Sequence, residues 1–295
     1  MSLNFFKAFF MFNFNGGLLE DNSSFLNEKN RGVQLGDAVY EELRVINGEI
    51  IYLEDHYLRL MSSMRILRME IPMNFTMEFM ETEILKIFSE NDLKQAKRVK
   101  FTVFRNSQHN FFESDNSISY FIVSDTLNNH FFVLSEDNYE VELFKDFYKN
   151  SSMLSNLDTN NKILNVVGAI YARENDYQDC LLLNERKQVI EALNGNIFII
   201  KENKIKTPPV TDGCTNGVLR KKLIELLSKL DGFDFLEDSI SPFELQKADE
   251  LFIVNTIDGI VPITKYRKKA FVNTVAKNLI GKLNAAARLS VSPRV

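Results

Sequence analysis

Five stretches of this 295-residue chain place reactive or ligand-binding side chains where chemistry could use them. Lys162 follows the polar run Ser151–Asn161 and opens an apolar, helix-patterned stretch that reaches about Asn175. A lysine there faces the positive end of the helix dipole, and a cationic neighbourhood helps hold an amine near neutral, as an imine-forming lysine requires. On this feature alone a solvated surface lysine is the commoner outcome. The run TPPVTDGCTNGVLRKKL, Thr207 to Leu223, is rich in turn residues and opens into a helix at Asn216-Gly217. Backbone N–H groups at such a start can hold a phosphate, and glycine lets the anion approach; an ordinary helix start is the alternative. Glu191, in VIEALNGNIFII, is either outward-facing or buried beside a cation, and strand periodicity favours the outward position. Arg59 lies on a helix in HYLRL, where a solvated arginine is the plain reading, and Asn255-Thr256 close the strand LFIVNT, where polar residues cap loops or bind ligands.

A lysine, a carboxylate, an arginine and a helix start are together the parts of a pyridoxal phosphate site. The elements that must position them read as two α+β domains, 1–126 and 139–295, joined by a linker over 127–138. In the first, strands are expected at Phe9–Phe14, Val39–Ile46 (closed by the hairpin signal Asn47-Gly48), Glu49–Leu53, Val99–Phe104 and Ile118–Ser124. Helices are expected at Asp55–Leu67, before Pro72, and at Thr76–Ser89. In the second, strands are expected at Val141–Phe147, Leu181–Leu183, Val189–Leu193, Ile197–Lys201, Lys204–Thr207, Leu251–Asn255 and Val261–Thr264. Helices are expected at Lys162–Asn175, Gly217–Leu230, Pro242–Lys247 and Val272–Ala287.

Composition narrows the function classes. A hydrophobic fraction of 45% with 25% charged residues excludes a disordered or collagen-like chain. A net charge of -5 argues against duplex binding, which needs a concentrated basic face. Cys180 and Cys214 cannot form a disulfide framework, so a reducing, cytoplasmic setting is expected. His56, His109 and His130 show no metal-ligand spacing, so no metal is expected, and no apolar run reaches the ~20 residues of a membrane span. FFKAFFMFNF lacks the flanks of a signal peptide and reads as a buried strand.

The order of the motifs resembles the class IV aminotransferase family, the fold-type-IV pyridoxal phosphate enzymes, which include D-amino acid and branched-chain aminotransferases and 4-amino-4-deoxychorismate lyase. The resemblance runs from Arg31 to Pro262 through Gly36-Asp37 with Tyr40-Glu41, HYLRL, KILN, VIEALNGNIF, TPPVTDGCTNGVLR and ADELFIVNT. It implies the two-domain α+β fold of those enzymes, pyridoxal 5'-phosphate as cofactor, a homodimer, and small amino-acid or amino-chorismate substrates. Lys162 matches the imine lysine that also moves the Cα proton, and Glu191 the carboxylate facing the pyridine nitrogen. Arg59 matches the phosphate arginine; Gly217, Val218 and Leu219 match the helix start that holds the phosphate, with Thr256 joining and Asn255 beside it. Asn194, Gly195 and Asn196 fill the segment beside the ring, and Tyr40 lines the substrate side.

Departures from the pattern bear on the substrate. The tyrosine that follows the lysine in many aminotransferases is missing from Lys162-Ile163-Leu164-Asn165-Val166, and Gly217-Val218-Leu219-Arg220 replaces Gly-Ile-Thr. Both resemble aminodeoxychorismate lyases, whereas GDAVYEELRV resembles the D-amino acid aminotransferases. Glu42 fits neither subgroup, and an acid there would repel a substrate carboxylate. The Arg-x-His pair of the D-specific enzymes has no clean counterpart; Arg105 and His109 are the nearest residues. On these motifs the expected activity is a lyase releasing pyruvate and 4-aminobenzoate. Next stands a D-amino acid or branched-chain aminotransferase using 2-oxoglutarate, and then a non-catalytic cofactor-binding protein.

Overall fold

The computed structural model describes residues 11–106 and 115–291. His109 and the first two residues of the expected Phe9–Phe14 strand lie outside them. The chain divides into two units, 1–128 and 129–295.

In the first unit β1 (Met11–Phe14) and β2 (Gly17–Glu20) form a hairpin. A short α1 (Arg31–Leu35) leads into β3 (Ala38–Ile46), and β4 (Glu49–Ile50) returns from it. Asn47 and Gly48 both hold positive φ, 52° and 79°, which is the geometry a two-residue turn needs to pair Ile46 with Glu49. The return strand is shorter than expected, because Tyr52 takes a left-handed conformation and α2 (Leu53–Ile66) begins at once. Next come α3 (Met77–Leu85), β5 (Lys97–Arg105) and β6 (Ile118–Thr126). Thr76 caps α3 by accepting the Phe79 N–H at 3.2 Å, and α3 stops four residues before the expected Ser89. The strands order as β2-β1-β6-β5-β3-β4.

Alternation along β3 decides what each face does. Val39, Leu43 and Val45 join Val99, Phe101 and Val103 of β5 in a core closed by Leu60, Met64, Met80 and Ile84 of the two helices. Glu41 shares that buried parity, while Tyr40, Glu42 and Arg44 lie on the opposite face.

The second unit starts with β7 (Glu140–Leu143), which is shorter than the expected Val141–Phe147; beyond Leu143 the chain leaves the sheet, and Phe147 is 58% exposed. It continues through α4 (Ile163–Glu174), β8 (Asp179–Leu183), β9 (Val189–Ala192), β10 (Asn196–Lys201), β11 (Lys204–Thr207) and α5 (Val218–Leu227). Then follow β12 (Asp234–Glu237), α6 (Pro242–Lys247), β13 (Glu250–Asn255), β14 (Gly259–Ile263), β15 (Lys265–Tyr266), β16 (Lys269–Ala270) and α7 (Thr274–Leu289). Two five-stranded sheets result, ordered β12-β11-β10-β13-β14 and β16-β15-β7-β8-β9. Leu181, Val189, Ile197, Leu251 and Ile253 share one core between them. A second cluster, Phe144, Cys180, Leu182, Ile190 and Cys214, receives Leu164, Val167 and Tyr171 of α4. Both cysteines are buried free thiols. Among the described residues no helix is long and apolar enough to cross a membrane.

Phe101 is fully buried against Phe75 and Tyr120. Phe101→Ala is therefore expected to destabilise the first unit by about 3–5 kcal/mol. Urea unfolding followed by tyrosine fluorescence checks this; a loss below 1 kcal/mol would mean that the site collapses without a cavity.

Candidate active site

Glu191 is the hinge of the arrangement in the second unit. It lies on β9 opposite Leu182 of β8 and is only 5% exposed, so the outward position favoured by periodicity is corrected. All four β9 residues are buried, and a single-face rule fails for a strand covered on both sides. A carboxylate taken from water needs charged or N–H partners. Here Lys149 Nζ stands 2.5 Å from Oε1, and the Thr215 backbone N–H donates to Oε2 at 2.6 Å. Lys149 also donates to Thr215 Oγ1 at 3.2 Å.

Thr215 leads to Asn216-Gly217 and α5. Gly217 is the N-cap of α5 and makes no side-chain cap hydrogen bond, and Val218 and Leu219 are buried. An uncapped helix start inside the protein calls for an anion, because its first N–H groups have no acceptor within the helix. Asn196 Nδ2 donates to the Thr215 carbonyl at 2.8 Å, and a Cβ on Gly217 would lie 2.5 Å from Asn196 Oδ1. A Cβ on Gly195 would lie 2.6 Å from the Val254 carbonyl oxygen. Glycine is thus required at both positions for close approach. Glu191, Gly195, Asn196 and Gly217 are brought together in this way.

Lys162 is the N-cap residue of α4, with Nζ 3.1 Å from Asp158 Oδ1 and its side chain 35% exposed. Asn165, in the first turn of α4, donates to the Leu193 carbonyl at 3.1 Å and so ties this helix to the β9–β10 turn. Beneath that turn Asp179 accepts from the backbone N–H of Cys180 (2.6 Å) and Leu193 (3.1 Å), from Tyr139 OH (2.9 Å) and from Asn194 Nδ2 (3.2 Å). Burial pushes the Asp179 carboxyl up to about 6, opposed by these hydrogen bonds. The Asn194 and Asn196 side chains are therefore committed to protein partners. Asn255 caps its own turn, accepting the N–H groups of Ile257 and Asp258 and donating to the Asp258 carboxylate, and half-buried Thr256 sits in that turn.

In the first unit Arg59 of α2 makes a two-point pair with Glu41, Nε to Oε1 at 2.8 Å and Nη2 to Oε2 at 2.6 Å. His56 Nδ1 lies 2.6 Å from the same Oε2, and both His56 and Glu41 are buried. On the opposite sheet face Lys100 Nζ sits 3.9 Å from the Tyr40 ring centroid, and Arg98 pairs with Glu42 at 2.5 Å. Arg105, a substrate-side candidate from the sequence, has all five guanidinium N–H donors matched within the unit. Asp37 takes Nε at 3.0 Å and Nη2 at 3.5 Å, Leu67 O takes Nη2 at 2.6 Å, Arg68 O takes Nη1 at 3.2 Å, and Asn116 Oδ1 also takes Nη1. It ties the start of β3 to the end of α2.

Sequence reading missed Lys149, Glu41, His56 and Asp179. A charge at buried parity between Val39 and Leu43 was a usable signal for Glu41; nothing local pointed to Lys149.

The amino-transferase class IV family profile matches residues 38–266. The chain belongs to the class IV aminotransferase family. It is 28% identical to a D-alanine aminotransferase of Listeria innocua over 85% of each chain. Its fold matches a branched-chain aminotransferase of Thermoproteus uzoniensis with TM-score 0.83 and 22% identity, covering 95% of this chain and 94% of that one. It also matches a Legionella pneumophila protein provisionally named 4-amino-4-deoxychorismate lyase, with TM-score 0.77 and 19% identity over 90% and 97%. As a class IV aminotransferase-family member the chain is an enzyme, and its cofactor is pyridoxal 5'-phosphate. The residues present fit that group: a glycine-opened, uncapped helix start suits the phosphate, and a buried ionisable carboxylate suits the ring nitrogen. No group of three or more His, Cys, Asp or Glu among the described residues could hold a metal ion.

Two outcomes test this geometry. Gly217→Ala should weaken cofactor uptake by the apo-protein by about tenfold or more, since its Cβ must displace Asn196; a fluorescence titration showing unchanged affinity would remove the close-approach argument. The Asp179 carboxyl titrates at about 6 in the fold against an ordinary 3.8, so its contribution is fully present below about pH 4. It is lost as pH rises through 6, by about 3 kcal/mol. The stability of wild type minus that of Asp179→Asn should therefore fall between pH 4 and 7 in urea unfolding; parallel curves would contradict the assignment.

Proposed function

We propose that this enzyme is an amino acid aminotransferase, moving an amino group between an amino acid and a 2-oxo acid. The observation that carries the reading is the buried Glu191 carboxylate held beside the glycine-opened start of α5. When bound, the cofactor supplies an aldehyde for the substrate amine and an electron-poor ring that acidifies Cα. Glu191 keeps the ring nitrogen's proton in place, because an ionised carboxylate favours a cationic partner. Lys162 would carry the proton from substrate Cα to the cofactor carbon that bears the nitrogen, and in the reverse direction when the 2-oxo acid is aminated; Asp158 and the N-cap position on α4 keep its amine at one place. The N–H groups of Val218 and Leu219 would hold the phosphate; Arg59, to which the motif resemblance gives a phosphate role, is clamped by Glu41 within the first unit.

Similarity to a D-alanine aminotransferase over 85% of both chains supports transamination ahead of the lyase that the motifs put first. The Arg98–Glu42 pair removes an objection to either substrate class, since it neutralises the acid otherwise expected to repel a carboxylate. The lyase is the second reading, favoured by Leu219 in place of a threonine and by the missing tyrosine after Lys162.

Incubation with D-alanine or L-leucine and 2-oxoglutarate should yield the matching 2-oxo acid and glutamate. Lys162→Ala should lower turnover roughly 10³-fold, the contribution of a positioned acid–base group. Release of 4-aminobenzoate and pyruvate from aminodeoxychorismate without any amino-group exchange would replace this reading by the lyase.

A further inference from the structure

Glu191 cannot be understood apart from Lys149. Lys149 lies in the loop after β7, 42 residues before its partner, and its backbone N–H is fixed on the Leu183 carbonyl at 2.9 Å. Its side chain is 19% exposed, against 6% for Glu191. The amine touches both ends of one short circuit: Glu191 Oε1 at 2.5 Å and Thr215 Oγ1 at 3.2 Å, while the Thr215 N–H closes the circuit on Glu191 Oε2 at 2.6 Å. The Thr215 carbonyl in turn holds Asn196. Three segments distant in sequence meet at one ammonium: the loop of Lys149, strand β9 and the turn that opens α5.

We propose that Lys149 is a positioning residue for the cofactor, holding the Glu191 carboxylate in register with the phosphate-binding turn. The inference rests on the cofactor reading above. Each carboxylate oxygen has two acceptor directions, so Glu191 retains capacity for a ring N–H while engaged by Lys149 and Thr215. Without a cation the carboxylate would be a lone buried charge, and the fold would have to neutralise or expose it. The circuit also sets the spacing between the carboxylate and the helix start, which must match the span from ring nitrogen to phosphate.

The test compares Lys149→Met, Lys149→Gln and Lys149→Arg in the full-length protein. Met and Gln remove the charge, and Arg retains it. In cofactor-free protein, hydrogen exchange at the Thr215 amide should accelerate about tenfold or more in Met and Gln and stay within about threefold of wild type in Arg. On adding pyridoxal 5'-phosphate, Met and Gln should bind about tenfold more weakly or worse. The circular dichroism induced in the bound cofactor's visible band should fall by about half or more, and Arg should restore it. A merely structural ion pair would alter melting temperature without changing that band in the folded holoenzyme. Wild-type affinity and dichroism in Lys149→Gln overturn the proposal. A wild-type protein that takes up no cofactor overturns the cofactor reading itself, and the role of Lys149 with it.

Discussion

A carboxylate moved out of water must be met by a cation or by several N–H and O–H donors, and the functional segments of this enzyme are arranged around that requirement. Glu191 is answered by one ammonium and one backbone N–H, and Glu41 by two N–H groups on one edge of a guanidinium and by a histidine ring. Asp179 is answered by donors alone, without a cation, and burial drives its carboxyl up to about 6. Four hydrogen bonds offset part of a desolvation penalty, and an opposite charge at hydrogen-bond distance offsets more of it. Each acid joins segments far apart in sequence, so the cost of burying charge is converted into geometric definition.

The turn between β9 and β10 shows what that definition achieves. Asp179 holds it through Leu193 and Asn194, and Asn165 of α4 holds it through the Leu193 carbonyl, while the Val254 carbonyl leaves no room for a side chain on Gly195. Asn196 carries the same rigidity to Thr215 and so to the start of α5. Helix α4 with Lys162, strand β9 with Glu191 and the glycine-opened turn before α5 therefore share one network, and none can shift without breaking hydrogen bonds of another. Such a network suits catalysis by preorganisation, in which groups are already aimed where charge develops.

Much of this was legible in the sequence wherever the signal is local. The Asn47-Gly48 turn, the Pro242–Lys247 helix and the glycine-opened start of α5 each depend on residues within one or two turns of chain, and each forms where its residues require. Glu191 was misplaced by periodicity because β9 is buried on both faces, a fact set by elements that the strand cannot announce. Lys149 was invisible for the same reason, since its partner is 42 residues away and its own neighbours are loop residues. The order of motifs could assign roles to Lys162, Glu191 and Arg59, but not the partners that give those roles their charge and place.

Arg105 and Glu42 show how pairing changes the meaning of a charge. An arginine with five matched donors offers no edge to a ligand carboxylate, whatever its position in a family pattern. Glu42, read alone, disfavours an acidic substrate; paired with Arg98 at 2.5 Å and opposite Lys100 in the β3–β5 register, it belongs to a face whose nearest charges are cationic. Lys100 lies over the Tyr40 ring on that same face. The electrostatic objection to a carboxylate-bearing substrate therefore fails at the level of the sheet face, although it was sound for the isolated residue.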